Sequence, residues 1–177
     1  IVLDETAGEK EKTELETTLE KDPDIVDFLA VYKTSSDIEN TENHVTKSAY
    51  VTVPEDSEKF REYLKFRNRN TGEAYVLEDD GVILSEKLAK LLDVSEGDTV
   101  VLKKEEGDDR EVTVSHITEN YFLHYIYMSS ELYKEIYGEK PEFFRYLTIN
   151  TSTESIFEEA MQEKYMNLTI KRQFFGF

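Results

Sequence analysis

The stretch DGVILSEKLAKLLDVSEGDTVVL, Asp80 to Leu102, reads as strand, serine, short helix, turn and strand. Val82 to Leu84 is a short apolar run suited to a buried strand. Ser85 stands where its hydroxyl can cap a helix by accepting a free backbone N–H of the first turn. Leu88, Leu91 and Leu92 recur at helical spacing and predict the buried face. Ser95, Glu96, Gly97 and Asp98 turn the chain into a strand over Thr99 to Leu102. Lys103 to Arg110 (KKEEGDDR) is then a hairpin loop. Glu111 to Ile117 (EVTVSHI) is the return strand, alternating on a period of two and placing His116 on the face of Val112 and Val114. None of these positions forms a catalytic arrangement; each specifies a local fold.

A similar unit recurs at Tyr125 to Gly138, YIYMSSELYKEIYG. It predicts a strand, a Ser129 cap, a helix and a stop at Gly138. Aligning Ser85 with Ser129 also aligns Leu88 with Leu132 and Lys90 with Lys134. Before these units, Thr6 to Lys21 predicts an exposed helix with a narrow Leu15 and Leu19 stripe. Ile25 to Ile38 and His44 to Val53 predict neighbouring antiparallel strands across a polar loop. Pro54, Glu55 and Asp56 suit the first turn of a helix, continued by Phe60, Tyr63, Leu64 and Arg67. Glu73 to Leu77 is a short strand, and Glu142 to Asn150 another. Thr151 and Glu154 make a capping box for a helix carrying Ile156, Phe157, Ala160 and Met161. Asn167 to Arg172 is a final strand. The order predicts an α+β fold, with antiparallel sheets, helices packed on one face and βαβ-type units.

Composition narrows the function. With 177 residues, 38% of them hydrophobic and including 11 Tyr and 10 Phe, the chain can bury a core. Its net charge of −18 argues against nucleic acid and against a polybasic contact with an anionic membrane. The absence of cysteine excludes disulfides and thiolate chemistry. No run approaches the length of a membrane span. The chain begins IVLDETAGEK, without Met, and ends KRQFFGF, so a longer parent is expected. His44, His116 and His124 lack metal-ligand spacing, and the acidic runs lack the oxygen spacing of a calcium loop. No Walker loop, GxSxG or GxGxxG occurs. No cofactor and no catalytic residue is therefore expected. Asn150 and Asn167 fit the glycosylation pattern, which matters only in a eukaryotic secretory context. The local feature that stands out is aromatic: Tyr121, Phe122, Tyr125, Tyr127, Tyr133 and Tyr137. It reads as a half-buried sheet face or as a candidate interaction surface.

Ser85, Leu88, Ala89, Leu92, Val94, Gly97, Asp98 and Val100 carry a resemblance. Together they match the strand–helix–hairpin signature in the extracytoplasmic domains of FtsX-like, MacB-type ABC transporter permeases. The later stretch from Val112 to Pro141 also resembles the Gram-positive branch of that family. Asp93 departs from the pattern, since the family often has Gly there; only the helix end should change. The resemblance implies a single domain over 1–177, placed outside the cell membrane between transmembrane helices. It implies two lobes, with 25–77 either a variable insert or the completion of the first lobe, and 78–177 holding the signature module and the C-terminal βαβ unit. It further implies a non-enzymatic role: coupling ATP hydrolysis by a cytoplasmic ATPase subunit to movement of the outer domain, called mechanotransmission. The expected partners are the permease's own membrane helices, that ATPase, and an extracellular protein, peptide or lipid substrate. The rival readings are a secreted or surface binding module for peptide or glycan, and a hydrolase with paired carboxylates.

Overall fold

The computed structural model describes residues 1–4, 6–103, 109–120 and 123–150. The capping box at Thr151, the helix after it and the last strand lie outside these residues, as does part of the acidic hairpin loop. Among the described residues the elements run α1 (Glu9–Lys21), β1 (Ile25–Asn40), β2 (Thr46–Pro54), α2 (Ser57–Phe60), β3 (Phe66–Arg67) and β4 (Ala74–Tyr75). There follow β5 (Val82–Ser85), α3 (Glu86–Leu92), β6 (Thr99–Leu102), β7 (Arg110–Thr118), β8 (Tyr125–Tyr127), α4 (Ser130–Tyr137) and β9 (Arg145–Asn150). The fold is α+β. The described residues divide into two compact units, one made of 1–31 with 142–150 and one within Tyr32–Pro141.

In the first unit, the first half of β1 pairs antiparallel with β9, from Ile25 opposite Asn150 to Val31 opposite Arg145. Leu15 and Leu19 of α1 are fully buried, with Leu3, Ala30 and Tyr146 in the same cluster. The leucine stripe, narrow in sequence, thus suffices to seat the helix. The Tyr146 hydroxyl donates to Glu16 Oε1 at 2.9 Å, tying β9 to α1.

In the second unit, the strand order is β2-β8-β5-β7-β6-β1, and a further β1–β2 pairing joins the two ends of that run. The pairings are mixed: β6–β7 and β5–β8 are antiparallel, whereas β5–β7 and β2–β8 are parallel. Parallel neighbours need a crossover, and α3 with β6 supplies the one between β5 and β7. The core gathers alternate residues from the strands: Val51 and Val53, Val82 and Leu84, Val100 and Leu102, Val112 and Val114. Leu88, Ala89 and Leu92 of α3 join it, as do Leu132, Tyr133 and Ile136 of α4. Segments 32–54 and 78–128 therefore build one sheet.

Four local expectations are corrected. The helix expected from Pro54 to Arg67 covers only Ser57–Phe60. Pro54 ends β2 instead, and its carbonyl accepts the Ser130 hydroxyl at 2.6 Å. Asp56 caps α2 by accepting the Lys59 N–H at 2.9 Å. The chain then leaves the helix because Phe60 and Phe66 both bury against Tyr127, at ring distances of 6.4 and 4.9 Å, while Arg67 pairs with Ala74 across the β3–β4 hairpin. On α3, Leu91 is 42% exposed and Ala89 is buried in its place. His116 leaves the face of Val112 and Val114, because a register shift pairs Val82 with Val114 but Ile83 with His116. Ser85 occupies the N-cap position without its side chain capping α3; its hydroxyl has another task, below.

Tight geometry fixes the ends of this module. A Cβ at Gly81 would lie 2.6 Å from the Thr113 carbonyl oxygen, so only glycine lets β5 enter so close to β7. Gly138 closes α4 at φ +78, and the Ser129 hydroxyl opens it by accepting the Leu132 N–H at 3.1 Å.

Candidate interaction surface

The structure splits the aromatic cluster. Tyr121 and Phe122 lie outside the described residues. Tyr125 and Tyr127 alternate on β8 with Ile126, which enters the core, so both rings lie on the opposite sheet face. Tyr133 and Tyr137 sit on α4, on the core side, where Tyr133 stacks on Tyr137 at 4.4 Å and meets Tyr32 edge-on at 5.2 Å. Sequence proximity brought together residues that the sheet separates.

On the outer face, Tyr125 stacks on Tyr127 at 5.6 Å and approaches Tyr50 at 5.9 Å. Lys33 Nζ lies 4.5 Å from the Tyr50 ring centre and 5.0 Å from that of Tyr125. Such cation–π contacts are worth about 0.5–1 kcal/mol at exposed sites. Tyr127 is buried, and the Asn120 side-chain amide donates to its hydroxyl at 3.1 Å. Burial pushes the phenols of Tyr127 and Tyr133 far above the ordinary tyrosine value, and desolvation does the same more mildly at Tyr125. All three therefore stay neutral and serve as packing groups.

What this face offers a partner is narrower than six aromatics. Tyr50 is 40% exposed, whereas Tyr125, Tyr127 and Tyr133 are each under a tenth exposed. Lys33 and Tyr50, which complete the ledge, were not singled out by the sequence. Their strands carry no motif, and only the β2–β8 pairing, with Tyr50 opposite Tyr125, brings them together.

The histidines are placed separately. His44 Nδ1 lies 2.9 Å from Glu39 Oε1, and His124 Nδ1 lies 3.2 Å from the Ser48 carbonyl. His116 stacks flat on Tyr75, with ring centres 3.8 Å apart. Among the described residues, no three His, Cys, Asp or Glu side chains form a metal-binding group.

Neither a protein-family model nor a curated protein matches the chain. Solved structures do. The extracellular domain of the noncanonic ABC-type transporter YknZ from Gram-positive bacteria superposes with a TM-score of 0.53 at 15% identity, covering 91% of this chain and 83% of that one. The periplasmic region of MacB from Actinobacillus actinomycetemcomitans gives 0.51 at 15% identity, covering 91% and 79%. The chain has the fold of these extracytoplasmic transporter domains. None of its described helices is long and apolar enough to cross a membrane.

Proposed function

We propose that the chain is the extracytoplasmic domain of an ABC transporter permease and that it transmits ATP-driven movement to an extracellular substrate or partner. The observation that carries this reading is the shared fold, which spans 91% of the chain. In this reading the domain is not an enzyme. Its partners are its own transmembrane helices, a cytoplasmic ATPase subunit, and an extracellular protein, peptide or lipid. In this reading the segment from Tyr32 to Leu77 completes the signature lobe rather than forming a variable insert, a reading supported by the pairing of β2 with β8.

Two measurements test it. The coding sequence flanking Ile1 and Phe177 should encode apolar runs of about 20 residues on both sides. A signal peptide followed by a stop near Phe177 overturns the assignment. Coupling is tested in the full-length permease with its ATPase. The chain has no cysteine, so Val26→Cys and Leu91→Cys, at exposed positions, give unique spin-label sites within it. The label distance should change on ATP binding, and an unchanged distance overturns mechanotransmission.

A second reading, a binding module for peptide or glycan, is supported by exposed Tyr50 beside Lys33. Titration of the isolated domain with peptide and cell-wall fragments tests it. Binding that Tyr50→Ala abolishes would favour it, and flat titrations remove it.

A further inference from the structure

The cations of this acidic chain are unevenly placed. Of its 21 Lys and Arg, five fall between residues 59 and 69: Lys59, Arg61, Lys65, Arg67 and Arg69. Between Glu62 and Glu73 there are three cations, Lys65, Arg67 and Arg69, and no acid. These three belong to the β3–β4 hairpin and the segment leading into it. Phe66 is buried, so Lys65 and Arg67, which flank it in sequence, turn the other way, to solvent. Arg67 Nε donates to Glu119 Oε2 at 2.9 Å, and Arg69 lies 3.6 Å from Glu86, yet their side chains remain 62% and 53% exposed.

We propose that the basic face of the β3–β4 hairpin, formed by Lys65, Arg67 and Arg69, docks an extended acidic segment of a partner protein. Charge complementarity selects the occupant. At physiological ionic strength charges act over about 8 Å. A narrow segment lying on the hairpin meets three cations, whereas a broad anionic surface such as a membrane also faces a chain of net charge −18. Spacing agrees: alternate residues of an extended strand recur at about 7 Å, for Lys65 and Arg67 here and for every second carboxylate of the partner. Arginine forks suit carboxylates in two-point contacts. The inference does not depend on the chain belonging to a transporter.

The test uses the full 177-residue chain, hexaglutamate as probe, and backbone amide shifts as readout. The shifts should concentrate in residues 59–75 and fade as salt is raised. The triple variant K65Q/R67Q/R69Q should weaken binding by about tenfold or more, and K65Q alone by a few-fold. K65Q breaks none of the ion pairs described above and keeps the test interpretable if the triple variant misfolds. Absent binding, shifts centred outside the hairpin, or indifference to K65Q overturn the proposal. Binding to phosphatidylglycerol vesicles with no response to hexaglutamate overturns it in favour of a lipid surface.

Discussion

The hydroxyl of Ser85, the residue at the N-cap of α3, accepts the backbone N–H of Tyr125 at 3.1 Å. The serine therefore fastens β5 to the start of β8, 40 residues away, rather than capping its own helix. Ser129, its counterpart in the similar stretch from Tyr125 to Gly138, does cap: it accepts the Leu132 N–H and donates to Asp79 at 2.5 Å. Two positions that look alike in sequence carry different bonds. Ser85→Ala should cost about 1–3 kcal/mol, because it leaves a buried N–H unsatisfied. Ser129→Ala should cost about 1 kcal/mol for the lost cap. Urea melts measure both, and faster hydrogen exchange at the Tyr125 amide should mark the first variant alone.

Asp93 ends α3 in the left-handed conformation, at φ 59 and ψ 52. This is the position where the resembling family often has glycine, and the geometry gives the reason. A side chain in this region costs roughly 1–2 kcal/mol, less for Asp, whereas glycine enters it freely. Asp93→Gly should be neutral or raise the urea midpoint slightly, and Asp93→Val should lower it clearly. A loss of stability in Asp93→Gly would show that the aspartate side chain contributes more than the strain removes.

Leu91 and Leu92 are adjacent, and the helix separates them: Leu92 is fully buried and Leu91 is 42% exposed. Leu92→Ala should cost about 2–5 kcal/mol by opening a cavity between α3 and the sheet. Leu91→Ala should stay within about 0.5 kcal/mol. Thermal melts of the two variants give the contrast directly.

Buried tyrosines set the alkaline limit. Burial raises the phenols of Tyr127 and Tyr133 in the folded chain, whereas in the unfolded chain they titrate near the ordinary value of 10.0. Above that pH the unfolded state has released protons that the folded state still holds. Stability is therefore unaffected below about pH 10 and falls as pH rises beyond it. Phenolate absorbance should show exposed tyrosines ionising first and a late, abrupt fraction coincident with unfolding. Tyr133→Phe should make that late fraction smaller.

The strand–helix–hairpin module was legible because its signals are local: apolar periodicity, turn residues and Gly97 at φ 92. The similar stretch from Tyr125, with its Ser129 cap and Gly138 stop, was legible for the same reason. What failed was decided at a distance. The helix after Pro54 is cut short by burial of Phe60 and Phe66 against Tyr127, a strand they do not adjoin in sequence. His116 changes face through a register shift against β5, which alternation within β7 cannot reveal. The aromatic residues were legible as a cluster but not as a face, since a cluster in sequence does not say which side of the sheet each ring takes. The Lys33–Tyr50–Tyr125 ledge needs the pairing of three strands before it exists.

The extra pairing of β1 with β2 has a consequence for company. Each of the six strands in the run β2-β8-β5-β7-β6-β1 has a hydrogen-bonded neighbour on both sides. At the flanks of this run, β2 and β1 already have each other as a partner, which disfavours addition of another strand there. Recognition at these two flanks is left to side chains and loops.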